Sequence, residues 1–263
     1  MLLDNKIAIV YAAGGAVGGA VARAFASEGA KVRLTGRDQR ALDAVARDVV
    51  ARGGAVETAL VDALDESAVD AHTHAVVARD GRIDVSFNAI GISQVGIQGI
   101  PLTELPLESF SLPVATYTRA HFVTARVAAR RMVEQRSGVI LMHTPEPARI
   151  GAALVGGMGP AWAAMEALCR SLSAELGPHG VRTVCLRTTG IPETETIDIV
   201  FGLHAKARGI TREQFQAAVE GMTHRRRSTT LRELADVAAF VVSDRAAAMT
   251  GTVANLTGGI AAD

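Results

Sequence analysis

The sequence predicts an α/β protein: a doubly wound parallel sheet, covered by helices on both faces, in a single domain. Three observations predict it. Apolar runs of strand length alternate with longer helical patterns along the whole chain. At 263 residues and 49% apolar composition, the chain is long enough to bury one large core. No internal repeat, linker or low-complexity stretch divides it. Alternation at this rhythm builds right-handed βαβ units, and these place ligands at the carboxyl ends of the strands.

The elements follow in order. Residues 6–11 read as a buried strand and 16–28 as a helix ended by Gly29. A second strand spans 31–35, and a helix spans 38–52, with Asp38 as its N-cap and Gly53-Gly54 as its stop. Residues 56–61 form a third strand, 66–79 a helix stopped by Gly81, and 83–87 a fourth strand. A glycine-rich loop follows to about residue 103. Residues 108–135 read as one long helix whose first turns must absorb Pro113. Then come a strand at 139–143, a helix at 159–176 before Gly177-Pro178, and a strand at 181–186. Residues 197–223 read as one or two helices with connecting loop. A helix at 231–243 and a strand at 252–256 close the chain.

Composition excludes several classes. Lys+Arg and Asp+Glu both total 27, so the balanced charge argues against nucleic-acid and polybasic membrane partners. No apolar run reaches the length of a membrane span. Cys169 and Cys185, the two cysteines, give no disulfide framework, and Cys169 is expected to be a buried thiol. With no leader pattern in residues 1–10, a cytoplasmic location is expected. His72 and His74 do not share a helix face, so no metal site is expected. Arg225, Arg226 and Arg227 read as a structural or lid-side anchor. Only two tyrosines are present, Tyr11 and Tyr117.

The turn after the first strand runs Tyr11-Ala12-Ala13-Gly14-Gly15-Ala16-Val17-Gly18. Glycines there let a pyrophosphate approach backbone N–H groups at a helix N-terminus. With the continuation through Gly29, this opening resembles the short-chain dehydrogenase/reductase family, a Rossmann-like fold. The family writes the turn T-G-x-x-x-G-x-G. In that register Tyr11 stands for the Thr, Ala12 and Ala16 for the first two glycines, and Gly18 for the third. An alternative for Tyr11 is that it fills the vacated cofactor space. Gly14, Gly15 and Gly18 meet the turn's general need for glycine and are candidate cofactor-binding residues; the resemblance adds Arg37, Asp62, Asn88 and Gly91. Gly36-Arg37, where an acid would select NAD, implies NADP(H). Asn88 also reads as a turn residue bonding its own loop.

The resemblance covers nearly the whole chain, yet four positions depart from it. The segment Met158-Gly159-Pro160-Ala161-Trp162-Ala163-Ala164 resembles the family's Y-x-x-x-K-A-A. Met158 therefore stands for the acid–base Tyr, Trp162 for its Lys, Pro145 for the Ser thirteen residues earlier, and Tyr117 for the Asn of the long helix. None restores the lost role, so the family's standard mechanism is not expected. Tyr117, Thr144 and His143 are the candidate replacements. His143 and Glu146 flank the strand end, placed to titrate near neutrality or to pair with each other. Met158, Trp162 and Met165 form an apolar cluster suited to a flat or greasy small-molecule ligand. Trp162 equally suits filling the space of a missing nicotinamide ribose.

Residues 192–224 match the family's substrate lid, and 231–259 its closing helix and strand. The expected function is an NADP(H) oxidoreductase by descent with an atypical active site. The alternatives are a non-redox enzyme of lyase or isomerase type, or an inactive binding or assembly subunit, with no cofactor. A homo-oligomer, dimer or tetramer, is expected, or one mixed with an active relative.

Overall fold

A computed structural model describes residues 1–262. Among them, seven strands form one parallel sheet. They are β1 (Ile7–Tyr11), β2 (Lys31–Gly36), β3 (Ala55–Leu60), β4 (Val85–Asn88), β5 (Gly138–Pro145), β6 (Val181–Thr188) and β7 (Thr252–Leu256). Their order is β3-β2-β1-β4-β5-β6-β7. The order reverses between β1 and β4, and the crevice beyond the carboxyl ends opens there.

Alternation along each strand sorts the core into two layers. Ala8, Val10, Val32, Leu34 and Phe87 pack against α1 (Ala16–Ser27), α2 (Gln39–Ala51) and α8 (Leu231–Val242). Ile7, Ile9, Tyr11, Ile140, Met142 and Cys185 pack against α3 (Glu66–Asp80), α4 (Leu107–Gln135) and α5 (Met158–Leu176). α4 carries Pro113 in its second turn. Gly157 lies so close below that a Cβ there would meet the Phe110 carbonyl.

The helix boundaries follow local chemistry. Asp38 accepts from the Arg40 and Ala41 N–H groups, capping α2 as expected. α6 (Glu195–Arg208) and α7 (Arg212–Met222) make the two-helix lid. Its own small core holds Phe201 and Phe215 with ring centroids 5.3 Å apart. Arg225 and Arg227 both pair with Glu233, tying the end of α7 to α8. Cys169 and Cys185 are buried free thiols. Among the described residues no helix is long and apolar enough to cross a membrane.

β5 and β6 each run two residues beyond the expected ends. Pro145, lacking an N–H, reads as a strand stop. Yet Thr144 is in register with Arg187 and Pro145 with Thr188. The extension is held from one side by a buried network. Thr144 Oγ1 donates to Glu166 Oε1 at 2.9 Å, and Arg187 grips both Glu166 oxygens at 2.8 Å. This extra turn of strand brings Pro145 and Thr188 to the crevice.

Candidate functional site

One cleft of about 1010 Å³ runs along the carboxyl edge of the sheet, from the β1–α1 turn, past the ends of β2 and β4, to the lid. That is at the upper end of ordinary ligand pockets, about 300–1,000 Å³.

At the first end, Ala12 takes a left-handed φ of +54°, a conformation normally left to glycine. Gly15 N–H bonds back to the Ala12 carbonyl at 3.0 Å and closes the turn. Gly15 is also the N-cap of α1 and supplies no side-chain cap, so the first N–H groups of that helix stay available to a ligand. The three glycines named from sequence divide. Gly14 and Gly15 line the cleft. Gly18 does not; it lies beneath the turn, where a Cβ would sit 2.5 Å from the Ala12 carbonyl oxygen. It is a packing glycine.

Arg37 follows the end of β2, exposed and on the cleft wall. Asn88 and Gly91 line the wall beyond β4. Asn88 is fully engaged: its amide donates to Ala120 O and Thr124 Oγ1, and its carbonyl accepts from Ile90 N–H. It fixes the loop from which Gly91 faces the cleft. Asp62 is not on this wall; its carboxylate accepts from Leu64 N–H at 3.0 Å and shapes its own turn.

Tyr11 does not fill the vacated cofactor space. It is 1% exposed and lies on the α3–α4 side of the sheet. Burial pushes its phenol up to about 12, opposed by the Thr73 hydroxyl beside it. Strand alternation places it there, two residues beyond Ile9.

The middle of the cleft holds the positions singled out by resemblance. Pro145, Tyr117 and Trp162 line it, while Met158 is fully buried behind, packed with Tyr117, Trp162 and Met165. The Tyr117 and Trp162 rings meet edge to face at 6.4 Å. Burial raises the Tyr117 phenol, opposed by the Ile92 backbone, the Trp162 indole and Gln94. Among the described residues no cation lowers it, so it keeps its proton and remains a hydrogen-bond donor at neutral pH.

Thr144 is turned away from the cleft. It is fully buried and spent on Glu166 and Cys185. His143 reaches the cleft, but its Nε2 bonds Thr188 Oγ1 at 2.9 Å and burial pushes the ring down to about 4. It is neutral at physiological pH and does not pair with Glu146. Glu146 opens the short 3-10 turn Glu146–Ala148 after β5 and lines the cleft. Its Oε2 is buried with no hydrogen-bond partner among the described residues. Burial raises the carboxyl to about 7, only partly offset by its own backbone N–H.

The resemblance places a lid at residues 192–224 but marks none of the side chains that it brings to the cleft. His204 on α6 stacks on Phe215 and bonds Gln98 through Nε2 at 2.9 Å. Gln98 donates to Gln94 at 2.6 Å, and Gln94 to the Ile92 carbonyl at 2.7 Å. This amide chain joins the lid to the loop beside Tyr117. Ile197, Val200, Phe201 and Val219 supply an apolar wall.

Comparison with known proteins places this geometry. Residues 12–261 match the family model described as enoyl-(acyl carrier protein) reductase. The chain is 28% identical over 260 residues to the uncharacterized oxidoreductase YxbG of Bacillus subtilis, covering 99% of this chain and 92% of that one. It is 33% identical over 190 residues to 1-deoxy-11-beta-hydroxypentalenate dehydrogenase of Streptomyces exfoliatus, covering 71% and 67%. NAD+-bound xylitol dehydrogenase has the same fold, with a TM-score of 0.92 at 24% identity, over 98% of this chain and 100% of that one.

Proposed function

Because the chain belongs to the short-chain dehydrogenase/reductase superfamily, we propose that it binds NADP(H) and a small, largely apolar ligand in one cleft, with its proton chemistry carried by groups other than the family's Tyr and Lys. The observation that carries this reading is the continuity of the cleft. It runs unbroken from Gly15 and Arg37 to Tyr117, Trp162 and the lid.

The residues present fit the dinucleotide at its adenosine end. A Cβ on Gly15 would meet only the Ala12 carbonyl, at 3.4 Å, so nothing but glycine's missing side chain occupies the space above the turn. The N–H groups opening α1 suit a pyrophosphate. Arg37, exposed on the wall, suits the 2′-phosphate that distinguishes NADP from NAD. When bound, the nicotinamide supplies hydride exchange with a ligand carbon. At the other end Met158 offers no proton and Trp162 no fixed cation. The proton that accompanies carbonyl or alcohol chemistry must therefore move through another side chain.

Thermal melting with NADPH and NADH tests the reading. A ligand at a hundred times its Kd stabilises by about 2.7 kcal/mol, a shift of several degrees. NADPH should shift the melt more than NADH, and Arg37→Ala should remove that difference. No shift with either dinucleotide refutes it.

Self-association through α4 and α5 belongs to the same proposal. Phe122 on α4 is exposed, with the Arg126 guanidinium 5.0 Å above its ring. Phe122→Glu should shift the mass measured by light scattering towards the monomer. An unchanged mass would place any interface elsewhere.

A further inference from the structure

We propose that Glu146 is the proton-transfer group of the cleft, a carboxylate base acting on an enolisable alicyclic carbonyl compound without change of oxidation state. The proposal stands apart from dinucleotide binding. It begins with an oxygen that the fold leaves without a partner. Glu146 Oε2 is buried on the cleft wall and bonds nothing among the described residues. A buried acceptor in that condition costs free energy that a ligand's hydrogen can offset.

The surroundings set what the carboxyl can do. Among the described residues no cation pairs with it, and Arg187 is engaged with Glu166 on the far side of β5. His143, two residues away, is held by Thr188. Burial holds the carboxyl near 7, so both protonation states are populated at neutral pH, as an acid–base group requires. Tyr117 shares the same cleft and keeps its proton, which makes it a donor for an oxyanion. Ile197, Val200, Phe201 and Val219 make one stretch of the lid wall apolar, which suits the ring of an alicyclic ligand, while the polar groups there, Gln94, Gln98 and His204, are engaged with one another.

A carboxylate base and a neutral O–H donor in an apolar cleft are the two groups needed to enolise a ketone. The C–H bond next to the carbonyl breaks and its proton passes to a Glu146 oxygen. The electron pair forms the carbon–carbon double bond, and charge moves onto the carbonyl oxygen, which accepts a hydrogen bond from Tyr117 Oη. Protonated Glu146 then returns a proton to the same carbon, or to the far carbon of a conjugated enone. Nothing is oxidised or reduced.

The full chain, with no dinucleotide added, is incubated in D2O with cyclohexanone or 2-decalone, and loss of the α-proton signal is followed by NMR. The wild type should exchange these protons faster than buffer. Glu146→Gln should lower the protein-dependent rate by about 100-fold or more while melting as a native protein. Tyr117→Phe should lower it as well, and Glu146→Asp should retain part of it even if the Gln variant folds poorly. Exchange at the buffer rate by the wild type, or undiminished exchange in Glu146→Gln, overturns the proposal. Neither result bears on NADPH melting shifts, so the two readings fail separately.

Discussion

Replacing Glu146 by Gln should stabilise the protein, and only at neutral and alkaline pH. The carboxyl's ordinary value is 4.5, and burial in the fold raises it to about 7. As pH rises, the unfolded chain therefore releases this proton before the folded one does. Stability falls between about 4.5 and 7 and holds level above that. The interval corresponds to about 3 kcal/mol, the cost of keeping an ionised carboxylate in the cleft wall. Gln is uncharged and nearly the same shape, so it escapes that cost. At pH 4 both side chains are neutral, and whatever separates them reflects the amide alone. The informative quantity is the variant's advantage at pH 8.5 minus its advantage at pH 4. Buried His121 and half-buried His143, pushed down to about 3 and about 4, also make stability pH-dependent. Their contribution is common to both proteins and cancels in that difference. Urea melts at the two pH values measure it directly. For a chain of this length, about 3 kcal/mol also corresponds to a Tm gain of roughly 6–12 °C. An advantage that is the same at pH 4 and pH 8.5 would refute the reasoning, because it would mean that Glu146 is solvated or paired in the fold.

Two glycines of the first turn should respond oppositely to alanine. Gly15→Ala, whose Cβ clears its nearest neighbour by 3.4 Å, should melt like the wild type but lose most of its NADPH shift. Gly18→Ala, with a Cβ 2.5 Å from the Ala12 carbonyl oxygen, should lose about 1–3 kcal/mol in urea melts. Equal melting of the two would contradict this division of the turn. Glu166→Ala should cost about 3 kcal/mol or more, since it strips Arg187 of a buried carboxylate and leaves Thr144 Oγ1 without its acceptor. A loss under 1 kcal/mol would show the network to be solvated. His121, His143 and His204, all pushed down by burial, should make the wild type weaken in acid. They favour the fold fully above their ordinary value of 6.5, and this is lost as pH falls towards 4. His121→Phe should flatten the pH profile of Tm in that window, and an unchanged slope would exclude His121 as a source.

The sheet was legible because each strand and helix signals itself locally. A short apolar run with a glycine stop needs no distant partner to be recognised, and the observed ends mostly agree with those signals. Where the reading fell short, the cause lies across the sheet. β5 continues through Pro145 because Arg187 and Glu166, far apart in sequence, hold Thr144 from the α5 side. The same bond explains why Thr144 is no candidate for the cleft. Alternation alone carries part of this information: Ile7, Ile9 and Tyr11 must share one face, which puts the Tyr11 phenol beneath α3 and not in the crevice. The His204–Gln98–Gln94 chain left no such trace, since nothing local aims an amide at a lid helix more than a hundred residues away.

Glu146 shows how the two kinds of information combine. Resemblance directs attention to the positions where a Tyr, a Lys and a Ser are expected, and there Met158, Trp162 and Pro145 carry no titratable proton. The group with an unusual proton stands one residue beyond Pro145, at a place the family pattern does not mark. Its character depends on burial, which a single sequence does not display: on the surface the same glutamate would be an ordinary solvated acid. Trp162, which lines the same cleft, brings no charge to offset the carboxylate. A lysine in place of Trp162 would bring a positive charge into the same cleft and favour the ionised form. Trp162→Lys should then lower the Glu146 pKa, as followed by carboxylate-labelled NMR, and reduce the stability gained on replacing Glu146 by Gln. An unchanged titration would mean that positions 162 and 146 do not sense each other, and the link between the uncharged Trp162 and the retained proton would fall.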